Sequence, residues 1–486
     1  MILSNLNSLI WYLPELTLLL TSIAVLIFDL FGRLRPYNAY LPYVGLIRSG
    51  IFLFIMGPSY EILFEGMIVN DSFSYFFKCI FLVSAFMIIL LSSNTEKIKN
   101  VNNSEYNMML IIITIGLFLM CSANNLVIVY IGVELVSLPS YILSGILKND
   151  EKSNEASLKY VIFGSFASGL MLFGISWLYG LAGSTDFSII HRELLVNSNP
   201  MMIYLTILLI MAGFGYKISM APFHYWTPDV YEGSPTPVTA FFSVAPKAAG
   251  IALILRFIYS IFTVKGSFGN TEFIQSISWP QIMAIISAVT MTMGNLLAIQ
   301  QSNVKRMLAY SSIAHVGYML MAFTVLSSDA ILAVLLYVFI YFFMNLAAFF
   351  FIVDVSNNTG TSKLSDYKGY ASIAPISSAF MVITLVSLAG LPPMSGFIGK
   401  FYLFSVLFRE SSFYWLAVIG ILNSVVSLYY YFLIVKNMYL EKPSEKLKPL
   451  KPNKAILYSL IIFSSQNLLF YLYWTPLVEY FKRIVS

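Results

Sequence analysis

The feature that most limits what this chain can become is its series of long apolar runs, each about the 20 residues that a helix needs to cross a bilayer. About 14 such spans are expected, centred near Leu20, Gly45, Leu82, Thr114, Leu135, Leu170, Leu208, Leu253, Ser287, Gly317, Tyr341, Leu385, Val425 and Ile462. Only 10% of the residues are charged and 58% are hydrophobic, against about 25% charged in a soluble domain. Such a chain could not cover a water-facing surface. The fold class that follows is all-α, a polytopic membrane protein that satisfies its backbone polar groups inside helices.

The rest of the composition excludes several chemistries. Cys79 and Cys121 are the only cysteines; two thiolates cannot hold an iron–sulfur cluster, which takes four, and they form no C-x-x-C pair. His191, His224 and His315 are too scattered for a metal or haem site. Neither a P-loop nor a dinucleotide fingerprint occurs. No cofactor is therefore expected in this chain. The net charge of +5 calls for no nucleic-acid partner, because the basic residues gather in loops. The start of the chain has neither a basic leader nor a small-residue cleavage site, so its first span is expected to be retained.

Those basic loops set the orientation. Of 28 Lys and Arg, 16 fall in loops after odd-numbered spans, 5 on the opposite side and 7 within spans. The positive-inside rule then puts both termini outside and the basic loop 436–454 in the cytoplasm or matrix. The seven in spans are Arg48, Lys78, Lys159, Lys217, Lys247, Arg256 and Lys400, and Glu134 lies in a span as well. A charge at mid-bilayer costs about 2.5–3.5 kcal/mol. Lys78 and Arg256 lie near span ends and are read as snorkelling; Arg48 stays open. Glu134 is too short to snorkel far. Lys217, Lys247 and Lys400 lie at or near helix interruptions, where function is the better reading.

The interruptions are "GFGYKISMAPFHYWTPDVYEG", with Lys217 and Pro222, and "AGLPPMSGFIGKF", with Pro392, Pro393 and Lys400. Proline removes amide donors, and carbonyls freed inside a membrane must face protein or water. The breaks lie in the seventh and twelfth spans. Five spans is an odd number, so the two helices enter from opposite sides, the pattern of two inverted five-helix repeats with broken helices. Two unrelated proline kinks are the plainer alternative. Burial disfavours a charged lysine and a carboxylate restores it, so a row of buried lysines can relay protons, with Lys217 and Glu134 as the natural first pair.

At this point a resemblance enters. "KISMAPFHYWTPDVYEGSPTPVTAFFSVAPKAAG" resembles the signature of the proton-pumping, antiporter-like subunits of respiratory complex I (NADH:quinone oxidoreductase), and most of all the subunit N (subunit 2) type. "WYLPELTLLL", "VYIGVELVSLPSYIL", "NVKRMLAYSSIAHVGYML" and "LAGLPPMSGFIGKFYLF" agree with it. "YEGSPTPVTAFFSVAPK" separates the chain from the sister subunits L and M, which resemble it through the broken helix but usually carry histidine-containing motifs in place of "VAPK". The family's usual span number guides the division of the longest runs into 14. The resemblance implies a translocase subunit without a redox centre: FMN, iron–sulfur clusters, NADH and quinone would bind other subunits. It implies as partners the sister subunit M, the small subunit K, the peripheral redox arm and membrane lipids, with no nucleic acid. The location implied is a bacterial inner membrane, or else a mitochondrial one.

Carried over by position, the relay would comprise Glu134, Lys159, Lys217, Lys247 and Lys400, with His224 and His315 as relay or water-organising residues. Uptake from the cytoplasm near Lys217 would lead through Lys247 and the His315 region to Lys400 and then outside, with Glu134 and Lys159 as the coupling end. Plainer readings stand beside these: His224 capping carbonyls at the break, and His315 as an interhelical hydrogen-bond residue. The expected organisation is one membrane domain over 1–486, with N-terminal helices 1–105, a first repeat 106–262, a second repeat 276–437, and a basic loop plus C-terminal helix 438–486. The loop "EKPSEKLKPLKPNK" reads as solvated, or as a contact for anionic lipid. Competing functions are a subunit of a multi-subunit sodium/proton antiporter, of a related complex fed by ferredoxin or F420, or a structural subunit with vestigial charges.

Overall fold

The computed structural model describes residues 4–31, 34–98, 101, 103–196, 199–265, 271–273, 279–443 and 453–485. Its helices run in the order α1 (Asn5–Trp11), α2 (Leu13–Leu30), α3 (Leu41–Met56), α4 (Ser72–Ser93), α5 (Asn103–Ser122), α6 (Leu126–Ser144), α7 (Glu151–Ala182), α8 (Phe187–Val196), α9 (Pro200–Ile218) and α10 (Trp226–Gly233). They continue as α11 (Thr236–Ile261), α12 (Trp279–Ile299), α13 (Val304–Met321), α14 (Ser328–Thr359), α15 (Tyr370–Ile373), α16 (Pro375–Ala389), α17 (Ser395–Leu407), α18 (Tyr414–Leu440), α19 (Lys454–Leu472) and α20 (Trp474–Val485). Among the described residues, 12 helices are long and apolar enough to cross a membrane, and Leu41–Met56, Pro375–Ala389 and Ser395–Leu407 are shorter apolar helices. The protein is thus a polytopic, nearly all-helical membrane protein. Two small antiparallel hairpins depart from the all-α expectation: β1 (Glu61–Leu63) pairs with β2 (Ile68–Asn70), and β3 (Thr263–Lys265) with β4 (Thr271–Phe273). Residues 444–452 of the basic loop lie outside the described residues.

Local chemistry sets the helix ends. Asn125, Asp150, Asn303, Ser327 and Asn453 each accept a backbone N–H in the first turn of the helix that follows, which satisfies donors that a helix start leaves over. α9 stops at Ile218, where Ser219 has φ +65°, and Pro222 follows before α10 resumes at Trp226. α16 stops at Gly390, φ +83°, and Pro392 and Pro393 delay the chain until α17 begins at Ser395. The Ala221–Pro222 and Pro392–Pro393 bonds are cis.

The chain forms two compact units, one of Met1–Ile89, Lys99–Ile218 and Ala245–Ile277, the other of Leu90–Ile98, Ser219–Val244 and Ser278–Ser486. In the first, α2 packs on α3 and α5, α5 on α6, and α7 on α6 and α9. Small residues let the backbones approach: a Cβ on Gly116 would lie 2.8 Å from the Val136 side chain, and one on Gly132 3.2 Å from Met120. In the second, α12 lies along α13, where Gly294 faces Ala314 and Gly317 faces Met291 too closely for any side chain. α14 packs against α16, α17, α19 and α20.

Candidate functional site

In the first unit the side chains of Lys217 and Lys247 are buried, 2% and 3% exposed. Neither snorkels. Lys217 lies in the last turn of α9 and donates from Nζ to Ser137 Oγ at 2.9 Å. Ser137 lies three residues after Glu134 on α6, one turn along the same face. Glu134 itself accepts from Ser168 Oγ on α7. The expected first pair is therefore not a contact ion pair: Lys217 rests on Ser137, whose hydroxyl donates to the Val133 carbonyl at 2.7 Å, and Glu134 rests on Ser168. Gly250 of α11 lets the end of α9 pack against it, since a Cβ there would lie 2.5 Å from the Ile218 side chain. Lys247 follows Pro246 inside α11. Glu134 and Lys159 are the relay candidates that are only half-buried; Lys159 is 35% exposed and pairs at 2.6 Å with Glu155 one turn earlier on α7.

Two expectations are corrected in this unit. Lys78 does not snorkel. It is 2% exposed, pairs with Glu15 at 2.7 Å and donates to Asn70 Oδ1 at 2.7 Å. Arg256 does not snorkel either: its Nη2 holds both oxygens of Asp71 at 2.9 and 3.0 Å, and its Nε donates to the Cys121 carbonyl at 2.8 Å. Burial works against the Asp71 carboxylate, but Arg256 and hydrogen bonds from Ser74 outweigh it and hold the carboxyl below its ordinary range. Position along a span could not reveal these partners, because Glu15 and Asp71 come from distant segments. Arg48, left open by the sequence, is exposed on α3 beside Phe52.

In the second unit His315 sits mid-helix on α13, 2% exposed. Its Nδ1 is 2.6 Å from Tyr337 Oη and its Nε2 3.0 Å from Tyr431 Oη. Tyr431 also bonds Ser311, and its ring lies 4.5 Å from Tyr430. Tyr430 donates to Asn295 at 2.9 Å, and Asn295 donates to Tyr318 Oη at 3.2 Å. The Tyr318 ring lies 4.8 Å from Lys400 Nζ. Aromatic and amide side chains thus run from His315 to Lys400. Lys400, 3% exposed, donates to the Ala389 carbonyl at 2.8 Å and to Ser424 Oγ at 2.9 Å. The break presents that carbonyl, and Gly390, with no side chain, lets the lysine stem pass: a Cβ there would sit 2.7 Å from Lys400 Cδ. His224 is 1% exposed and stacks on Tyr225 at 4.4 Å; both its ring nitrogens are buried without a protein partner among the described residues.

Lys305 and Arg306 lie in the first turn of α13. Lys305 is buried and donates to the carbonyls of Glu232, 3.0 Å, and Ser234, 2.5 Å, at the end of α10. Arg306 Nη1 bonds Asp229, 2.5 Å, and Glu232, 3.2 Å, which share one face of α10. These contacts anchor the helix after the first break. The i, i+3 spacing of Asp229 and Glu232 was the one signal in the sequence. The tyrosine partners of His315, and the asparagine that joins Tyr430 to Tyr318, gave none, since such residues also serve as interfacial or packing groups.

Broken helices with lysines buried beside them on hydroxyl and carbonyl ligands define the class: a polytopic ion-translocating subunit of the antiporter-like kind. Residues 123–427 match the family described as NADH:quinone oxidoreductase/Mrp antiporter, TM. Relatives are NADH-quinone oxidoreductase subunit N of Anaeromyxobacter sp., 38% identical over 98% of this chain and 96% of that one, and NADH-quinone oxidoreductase subunit N 2 of Chloroherpeton thalassium, 42% identical over 96% and 92%. The chain belongs to the NADH-quinone oxidoreductase subunit N family. A chain of respiratory complex I from Thermus thermophilus with bound aureothin superposes with TM-score 0.79 at 26% identity, over 96% of this chain and 98% of that one. The membrane-bound sulfane sulfur reductase, an archaeal respiratory complex, gives TM-score 0.85 at 21% identity, over 99% of this chain and 97% of that one; it shares the fold alone.

Proposed function

We infer that this chain is the proton-translocating membrane subunit of an NADH:quinone oxidoreductase in a bacterial plasma membrane, moving protons in response to electron transfer carried out by other subunits. The observation that carries the reading is the burial of Lys217 and Lys400 beside the two breaks, each held by hydroxyl or carbonyl oxygens and not by a carboxylate. Such oxygens accept a hydrogen bond from an ammonium and from a neutral amine alike. Each lysine can therefore lose and regain a proton without losing its place.

The proposed relay runs from cytoplasmic uptake near Lys217, through Lys247 and the His315 region, to Lys400 and outward. His224, buried with two open ring nitrogens, would organise water at the first break. Glu134 and Lys159 would form the coupling end. In support, both are only half-buried, on the α6–α7 side, where Phe163, Phe166 and Phe173 of α7 are exposed. A neighbouring subunit there could shift the Glu134 charge and, through Ser137, the state of Lys217. Sister subunit M, small subunit K and the redox arm are the proposed partners. The 12 long helices become 14 spans if Leu41–Met56 counts as one and the pair Pro375–Ala389/Ser395–Leu407 as another; the inverted repeats 106–262 and 276–437 follow from that count. The test is Lys217→Ala in the assembled complex, reconstituted in vesicles. Pumping is expected to stop while the complex remains intact, and full proton translocation by the variant would sink the reading.

A further inference from the structure

We propose that Lys400 has its own access to the lysine-rich, inner side of the membrane: a polar column along α16 whose mouth is a cavity at Asp354. The proposal rests on the reading of this chain as a proton carrier and adds a route that the relay above does not contain.

The mouth is a cavity of about 100 Å³ lined by Asp354, Asn358, Tyr370, Ser377, Pro375 and Leu457, among others. It has room for several waters, each of which needs about 10–15 Å³ of such space. It opens at the end of the unit that carries Lys363, Lys368, Lys436 and Lys442, where the Gly369 amide bonds the Asn437 carbonyl at 2.9 Å. By the positive-inside rule this is the inner side. Asp354 is 7% exposed and accepts from Tyr370 Oη at 3.0 Å. Among the described residues no Lys, Arg or His lies within 4.0 Å of it. A buried carboxylate without a cation, facing a cavity, is expensive to keep for structure alone.

From the mouth, α16 turns one buried stripe inward: Ser377, Met381, Thr384 and Leu388, at spacings of four, three and four. Thr384 of this stripe, Ser387 elsewhere on α16 and Ser395 at the start of α17 meet polar partners on α19. Thr384 and Ser464 share a hydrogen bond of 2.8 Å, and Ser387 and Ser395 both donate to Asn467 Oδ1, at 3.2 and 3.3 Å. Two residues after Ser387 comes the Ala389 carbonyl that holds Lys400. Two fully buried groups in the column have no protein partner among the described residues, Ser378 Oγ and Asn467 Nδ2. Buried polar groups are nearly always satisfied, by water where protein does not serve. Water that bridges them would join the segments. Met381 is the one apolar side chain in the stripe between Ser377 and Thr384, which are about 10 Å apart along the helix. A flexible thioether there is a plug that water can pass when it swings aside. The step balances simply: Asp354 takes a proton from inner water, hydroxyls and water pass one on, and the neutral Lys400 amine becomes ammonium, to be reset by the outward release already proposed.

The test places cysteine at Ser377 or Thr384 in the intact complex, in vesicles of either orientation. The probe is 2-aminoethyl methanethiosulfonate, and mass spectrometry of this chain reads the labelled site. Ser377→Cys is expected to react from the inner side only. Thr384→Cys is expected to react from that side too, faster when Met381→Ala removes the plug. Asp354→Asn, nearly the same shape, is expected to slow proton pumping several-fold in a complex that still assembles. Thr384→Cys that stays unlabelled from the inner side even with Met381→Ala, or reacts only from outside, overturns the column. Unchanged pumping by Asp354→Asn removes Asp354 as its mouth. Lys217→Ala separates the two proposals: if that variant still pumps, the proton-carrier reading fails, whereas its arrest beside an unlabelled Thr384→Cys sinks the column alone.

Discussion

Lys78 and Lys400 are buried to the same degree, 2% and 3% exposed, and live in opposite chemistry. Lys78 lies in α4 of the first unit with the Glu15 carboxylate at 2.7 Å and Asn70 at the same distance. Lys400 lies in α17 of the second unit with a carbonyl, a hydroxyl and the face of a tyrosine. A carboxylate within contact distance locks a charge in place, and removing either partner strands the other in a low dielectric. Neutral acceptors impose no such lock. Burial of a charge in a membrane is thus only half of a functional signal; the other half is what answers it. The same contrast separates Arg256, held by Asp71, from Lys217, held by Ser137. Carboxylates answer Lys78 and Arg256, while hydroxyl and carbonyl oxygens answer Lys217 and Lys400 at the breaks.

The contrast can be broken experimentally. Lys400→Met should lower proton pumping by about 100-fold or more, the scale for a positioned proton-transfer group, with the complex still assembled. Pumping near the parent rate would place Lys400 among the structural charges. Lys78→Met should act on stability instead, costing about 3–5 kcal/mol by leaving Glu15 uncompensated. The double change Glu15→Leu with Lys78→Met should recover most of that loss. Thermal inactivation of the assembled complex reads both, and a double variant no more stable than the single one would mean that Glu15 has another role. Tyr431→Phe removes a hydroxyl shared by His315 and Ser311 and should cost about 1–3 kcal/mol in whatever it supports. A fall in pumping with an unchanged melting temperature would assign it to the relay, and the reverse to packing. Ser137→Ala should have the smallest effect, about 1 kcal/mol, seen as a several-fold slower proton uptake. No change at all would show that Glu134 and Lys217 communicate without the hydroxyl.

The class of fold was readable because bilayer physics leaves so few options: apolar runs of helix length, few charges and lysine-rich loops are all local properties of sequence. The helix breaks were readable for the same reason, since proline and glycine act on their own backbone. Lys217, Lys247, Lys400 and His315 are buried as expected. The partners were not readable. Ser137 and Ser168 are ordinary small residues of a packed helix until Lys217 and Glu134 arrive beside them. Glu15 is 63 residues from Lys78 and Asp71 is 185 from Arg256, so span position suggested snorkelling where tertiary pairing exists. Lys159, chosen by resemblance, is surface-facing and answered by Glu155, a difference that only α7's orientation decides.

Sequence alone therefore determined that this chain lives in a membrane, where two of its helices break, and which charges need explaining. It could do so because each of these depends on neighbours along the chain. The tertiary structure alone decided which buried charges are neutralised and which are left on neutral ligands, because that depends on side chains brought from remote helices to within about 3 Å, the reach of a hydrogen bond.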